Sequence, residues 1–495
     1  MAEQGVPCTV PAGVMGDCHR GDHRIVPRSV LCLLLLAFTH VRGVEAKEFR
    51  IEPGVDLKPV LKQVRAGDSI VMTDGTWTDS ELRFERLAGT RDAPITIRAQ
   101  SPGGVVLTGA VTFRVSGDHV VVSGLVFRNA GGSSNVFEFR THSERHAHHS
   151  RITDCCFEQT TETTQQESRW LNVYGTHNRV DHCYLAGKRN RGPSLVVWVG
   201  ETPGRHRIDH NHFGPRPELG RNGGETIRIG TSDTSERDCL SIVEENYFDR
   251  CNGEGEIISN KSCGNIYRHN LFERCEGALT LRHGHRCLVD GNVFLGRTVR
   301  GTGGVRIIGS QHRVVNNYFE GLRGDAERSG ICFMNGLPNS PLNGYAPVRD
   351  ALVAHNTLID CKVSMEFGVR SGENLVAASN CVISHNVFVP TKWELFRVHA
   401  KPVDFVWKHN KLQSGQTRGA DLVSIETVDI DLTRSSDGLL RPMGIDILRV
   451  AEGSGVENDI DGGTRQSKLA GCDDPENVIV DRHLVTDTGP RWKTE

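Results

Sequence analysis

The chain of 495 residues is poor in what most large folds are built from. Aromatic residues make up 6% of it and all hydrophobic residues 37%. That is little for the broad core of a layered globular fold, but it suits the narrow core of a solenoid, filled by small and branched side chains. Charge of one sign is also lacking. Lys and Arg number 58 and Asp and Glu 61, a formal net charge of -3, which argues against a basic nucleic-acid binder. Any acidic partner would need a local basic cleft. The 15 cysteines include no CxxC pair, so a zinc cluster is not expected. Long apolar runs are missing except for one, Val30 to Phe38, which is too short to cross a bilayer comfortably.

That single run follows Arg24 and Arg28 and precedes Val44-Glu45-Ala46, a small-residue cleavage pattern. Residues 1–46 therefore read as an export leader, with Met15 an alternative start. The mature chain is expected to be secreted, periplasmic or at the cell surface, with no membrane segment after processing. Three cysteines fall in the leader. Several of the other twelve, such as Cys251, Cys275 and Cys361, follow a recurring motif, and they are expected to stack inside a solenoid as small apolar groups instead of forming a disulfide framework.

What the chain does have is glycine, 54 residues, and a repeat. A β-branched pair, polar residues with an asparagine, then an aromatic residue or leucine recurs about every 22 to 39 residues. Examples are Ile208-Asp209-His210-Asn211-His212-Phe213, Ile266-Tyr267-Arg268-His269-Asn270-Leu271-Phe272 and Val314-Val315-Asn316-Asn317-Tyr318-Phe319. The spacing is one turn of a β-solenoid, each copy reads as a short strand of alternating character, and the asparagines suit an inward amide ladder. The expected fold is all-β, a right-handed parallel β-helix of ten or eleven coils over residues 47–414. Asp56 to Arg65 forms a short N-terminal helical cap, Ser69 to Met72 a strand, and residues 415–495 an irregular C-terminal cap or tail.

Between the copies lies a second strand per coil, in which unusual residues gather: NGGETIRIG from Asn222, NGEGEIISNKS from Asn252, LTLRHG from Leu279 and GGVRIIG from Gly303. Coils stack about 4.8 Å apart, so these segments share one face. Glu254 and Glu256 point to the same side of a strand, and with Asn222 they make an all-oxygen donor set that suits calcium over softer metals. Lys261, Arg282 and Arg306 lie close by. Glu225 and Arg228 are candidates to pair with each other or with the metal shell. Tyr174 and Trp198 are either sugar platforms or solenoid packing, and the histidines His142, His146, His148 and His149 are expected in an exposed loop with no metal.

These four segments, in order and spacing, resemble the polysaccharide lyase family that contains chondroitinase B and alginate lyases (family six), as does the opening AGDSIVMTDGTW. The resemblance covers most of residues 48 to 410. It implies calcium ligands at Asn222, Glu254 and Glu256, a general base at Lys261, an acid at Arg282, and cleft-lining residues at Arg306 and His283. Arg228 is assigned to the substrate side with them. The implied reaction is β-elimination in a 4-linked uronate. The substrate is an acidic polysaccharide, with alginate first and dermatan sulfate second. A β-helix hydrolase or a non-catalytic carbohydrate-binding solenoid are the other readings that the fold allows.

Overall fold

The computed structural model describes residues 46–131, 135–163, 166–415, 425–480 and 487–490, and residues 46–495 form one compact unit. The expected leader lies outside the described residues. Short strands wind through three 14-stranded sheets, and nearly every pairing is parallel and joins one coil to the next. The first sheet runs from Glu48–Ile51 to Val406–Lys408 and the third from Gly75–Thr78 to Glu426–Val428. The second includes Leu195–Val197, Ile227–Ile229, Glu256–Lys261, Ala278–His283, Val305–Ile307, Ile331–Met334, Val363–Val369 and Glu394–Val398. This is the expected β-helix. It has more coils than ten or eleven because the first coils lack the asparagine motif by which the repeat was counted.

The motif itself is not one strand. It straddles a corner between the first and third sheets, as in Arg207–Asp209 followed by His212–Phe213. The residue before the asparagine is left-handed, with φ near +52° at His210, +53° at His269 and +55° at His355. Side chains other than glycine resist this conformation by about 1–2 kcal/mol each. The asparagine offsets that cost. The side-chain amides of Asn211, Asn246, Asn270, Asn292, Asn317, Asn356 and Asn386 each donate to the Oδ1 of the next asparagine at 2.9–3.0 Å, ending at Asn410. Each amide also donates to a carbonyl of the preceding coil, as Asn292 does to Tyr267 at 2.9 Å. Each amide of the ladder is thus bonded to both neighbouring coils.

One residue beyond the corner strand's start, Phe213, Phe248, Phe272, Phe294 and Phe319 stack with ring centroids 4.5–4.9 Å apart. The narrow core is continuous from Ile51 to Leu412. The twelve described cysteines are all free and buried; Cys251, Cys275 and Cys361 sit in this core as small apolar groups.

Asp56 caps a single helical turn, Leu57–Leu61, by accepting from Lys58 N–H at 3.1 Å. The strand Ser69–Met72 falls where expected. The tail does something the sequence did not disclose. Ile430, Leu439, Leu448, Ile460 and Leu469 pack on Val293, Tyr318, Ile359 and Val387, the outward residues of the third sheet. It therefore lies along the side of the solenoid. Among the described residues no helix is long and apolar enough to cross a membrane.

Candidate functional site

The outward positions of the second sheet form a register line through Asn172, Val196, Arg228, Ser259, Thr280, Arg306, Cys332, Glu366 and Arg397. Alternation puts Ile227, Ile258, Leu279 and Val305 inward, all fully buried, so their neighbours must face out. Ser259 and Thr280, both fully buried, are the small positions at the centre of this line. Small side chains there leave space, and larger charged ones rise on both sides.

On the strand-entry side are the acids. Glu254 Oε2 accepts from the backbone N–H groups of Gly223 and Gly224 at 2.7 and 3.1 Å. The two acid-bearing loops lie so close that a Cβ on Gly224 would sit 2.2 Å from the Gly253 carbonyl oxygen, and one on Gly253 2.2 Å from that of Gly224. This is why both segments carry glycine. Glu225 is 4% exposed and its Oε2 is buried without a hydrogen-bond partner. Burial, with the charges of Glu225 and Glu256 beside it, pushes the Glu254 carboxyl up to about 7 against the pull of its two backbone donors. Three carboxylates thus crowd one corner, and the exposed Asn222 stands on the loop above. Among the described residues, the trio of acids whose ligand atoms lie within 4.8 Å of one another is elsewhere, at Asp459, Asp461 and Asp473. There Arg441 pairs with Asp461 at 3.3 Å and Asp473 at 2.6 Å.

On the strand-exit side are the cations. Lys261 ends its strand in register with His283. Burial, with Arg282 and Lys261 nearby, holds His283 down to about 3, so it is neutral and meets the Ser232 hydroxyl at 3.3 Å. Arg282 stacks 4.0 Å above the Tyr345 ring, and its Nε lies 3.7 Å from Glu256 Oε1. Burial lowers its pKa. Arg306 donates to the Tyr345 hydroxyl at 2.7 Å and reaches Glu256 Oε1 at 3.4 Å, while its Nε is buried without a partner. Glu256 is thus shared by two guanidiniums and also accepts from the Ser259 hydroxyl at 2.6 Å.

Arg228 does not pair with Glu225. It lies 5.3 Å over Trp198, and its Nε is buried without a hydrogen-bond partner. Trp198 and Tyr174 stack on each other at 5.6 Å, which favours packing over open sugar platforms. The histidine stretch is a correction: Arg140–His142 and Arg145–His148 pair as an antiparallel hairpin on the second sheet, with His148 bonded to Thr176. Sequence reasoning missed Tyr345, which sits in a non-repeating segment and left no periodic signal.

Comparison with known proteins follows the same lines. A family model for chondroitinase B matches residues 52–387. No curated protein sequence matches. The PL6 family alginate lyase AlyGC is 38% identical with a TM-score of 0.78 over 88% of this chain, which spans 59% of that one. A mannuronic acid specific polysaccharide family 6 lyase from human gut microbiota is 31% identical with a TM-score of 0.66, over 78% of this chain and 92% of that one. A PL6 alginate lyase solved with a trisaccharide, 22% identical with a TM-score of 0.73, shares the fold. The family model and the relatives above 30% identity agree, and the chain belongs to polysaccharide lyase family 6.

Proposed function

We propose that the chain cleaves a 4-linked uronate polymer, alginate, by β-elimination at the cleft of the second sheet. The observation that carries the reading is the division of the cleft. Crowded carboxylates with an unpartnered buried oxygen stand on one side, and Lys261, Arg282 and Arg306 stand on the other, two of them leaning on Glu256. The alginate lyase relatives support the choice of polymer.

The residues fit a hard divalent cation such as calcium. Glu225 offers a buried oxygen with no partner, Glu254 is raised by burial and by the acids beside it, and Asn222, Glu254 and Glu256 complete an oxygen-only set. Bound there, it would draw charge from the uronate carboxylate and make the C5 proton easier to remove. The chain's own groups do the rest. Arg306, and Arg228 three strands before it on the same line, hold carboxylates of the polymer. Lys261 in its neutral form takes the C5 proton. The C5 electron pair forms the C4–C5 double bond as the C4–O bond breaks, and the departing oxygen is met by Arg282, whose burial moves it toward proton donation. His283, kept neutral, adds no competing positive charge beside Lys261. The leader at residues 1–46 delivers the enzyme outside the cytoplasm.

The test is the ultraviolet absorbance of the unsaturated uronate, followed on alginate and on dermatan sulfate with calcium and with chelator. Absorbance should rise on alginate and vanish with Lys261→Ala. A rise on dermatan sulfate alone would keep the chemistry and replace the substrate. No rise on either polymer with folded protein would overturn the reading.

A further inference from the structure

The two ends of the cleft differ in charge and in cover. Toward the earlier coils, Arg140 lies 3.9 Å over Tyr174, Tyr174 stacks on Trp198, and Arg169 and Arg228 lie over Trp198 at 5.8 and 5.3 Å. The rings hold the guanidiniums in place, so little side-chain entropy remains to be lost on binding. The carboxylates here are outnumbered. Glu138 is shared by Arg114 at 3.0 Å and Arg140 at 2.8 Å, and Glu167 is shared by Arg169 and Arg191. With Arg228, on which Glu225 also acts, five arginines face three glutamates.

Toward the later coils acids and cations are matched more evenly. Arg397 is shared by Glu394 at 2.8 Å, Glu366 at 3.6 Å and Asp325 at 3.8 Å, and Asp325 also takes Lys362 at 2.6 Å. The face is sealed as well. Cys332 and Glu366 point outward in register with Arg306, and here it is other segments of the chain that cover them. Ile308, Cys332, Met334 and Val369 form a separate apolar cluster under Ala326 and Tyr345, and the Ala326 N–H and His399 cover Glu366 at 2.8 and 2.6 Å. A polyanion cannot lie on this surface without breaking those contacts, and no surplus of cations draws it there.

We infer that the cleft is one-sided: the acidic polymer extends from Arg306 over Arg228 and the Arg140–Tyr174–Trp198–Arg169 stack, and the wall formed by Tyr345, Ala326 and the Asp325–Arg397 cluster stops it on the other side. This rests on the reading of the cleft as a polyuronate site. Its consequence is that bonds are broken near one chain end, releasing short products, with Arg140 and Arg169 setting the preference for long chains.

Calorimetric binding of uronate oligomers of two and six units to the Lys261→Ala protein tests this without turnover. The six-unit chain should bind more tightly, and Arg140→Ala and Arg169→Ala should each cut that advantage about threefold to tenfold. Arg397→Ala, on the walled side, should leave it unchanged. Arg140→Gln and a melting curve guard against a misfolded alanine variant. An advantage unmoved by Arg140 and Arg169, or lost with Arg397→Ala, would overturn the inference, and so would rapid mid-chain scission of alginate by the wild type, seen as an early fall in viscosity. If no absorbance develops but the length advantage depends on Arg140 and Arg169, the lyase reading falls and the one-sided site stands.

Discussion

The corner between the first and third sheets and the outer face of the second sheet are built from the same coils, yet they treat polar groups in opposite ways. At the corner every asparagine answers the next, and on the neighbouring first-sheet face charges are matched. Arg179 meets Asp209 at 2.8 Å, and Arg207 and Arg268 each meet Glu244 at 2.6 Å. Burial would raise the Asp209 carboxyl, but hydrogen bonds from His210 and Arg179 hold it below the usual range. On the second sheet, Glu225, Arg228 and Arg306 each keep a buried polar atom without a partner. An unsatisfied buried group costs about 1–3 kcal/mol, so these three lower the stability of the second-sheet face. The lesson is one of division: the ladder makes the coil, and the strand opposite is free to carry groups that wait for a ligand.

The comparison breaks most sharply at Lys261. Lys261→Ala should lower the turnover of alginate by about 10²–10⁴-fold while shifting the melting temperature by less than a degree or two; a large stability loss would mean that the lysine belongs to the scaffold. Asn292→Ala should do the reverse. It removes the amide that serves Tyr267, Asp290 and Asn317 and leaves Asn270 without its acceptor. Unfolding by denaturant should show a loss of about 3 kcal/mol with activity per folded molecule retained.

Acid should weaken the scaffold through His206, which burial holds down to about 3. The folded chain keeps this ring neutral while the unfolded chain protonates it near 6.5. Its contribution is therefore complete above that pH and is lost as pH falls from 6.5 toward 3, about 2 kcal/mol of it by pH 5. His206→Asn should lessen the loss across that window by about 2 kcal/mol and leave the part carried by His283 and His312, as seen in denaturant midpoints at pH 7 and pH 5. The smallest effect belongs to Glu225→Gln. Removing one crowded carboxylate should stabilise the chelated protein by about 1 kcal/mol and shrink the gain in melting temperature that calcium gives. An unchanged calcium gain would remove Glu225 from the cation corner.

Much of this division is legible in the sequence, for a physical reason. A solenoid repeats its environment every coil, so Asn246, Asn270 and Asn292 recur at near-constant spacing and disclose the ladder. The departures from that pattern, at Glu254, Glu256, Lys261, Arg282 and Arg306, stand out against it and do share one face. What does not repeat is not visible. Tyr345 reaches Arg282 and Arg306 from a long excursion between coils. The tail's apolar residues are too scattered to announce that they cover the third sheet. The corner was misread as a single strand because a left-handed residue such as His210 carries no mark in the sequence. Arg228 looked like a partner for Glu225 because the two are neighbours along the chain, while the fold turns its guanidinium toward Trp198.

The buried free cysteines also have a use. Eight thiols shielded inside the continuous core of the coil stack, with Cys275, Cys287 and Cys361 among those that burial pushes toward the inert protonated form, will not meet an aqueous alkylating reagent until a coil opens. Their labelling pattern, read by mass along the chain, would time the order in which the solenoid unzips, coil by coil, with no probe added.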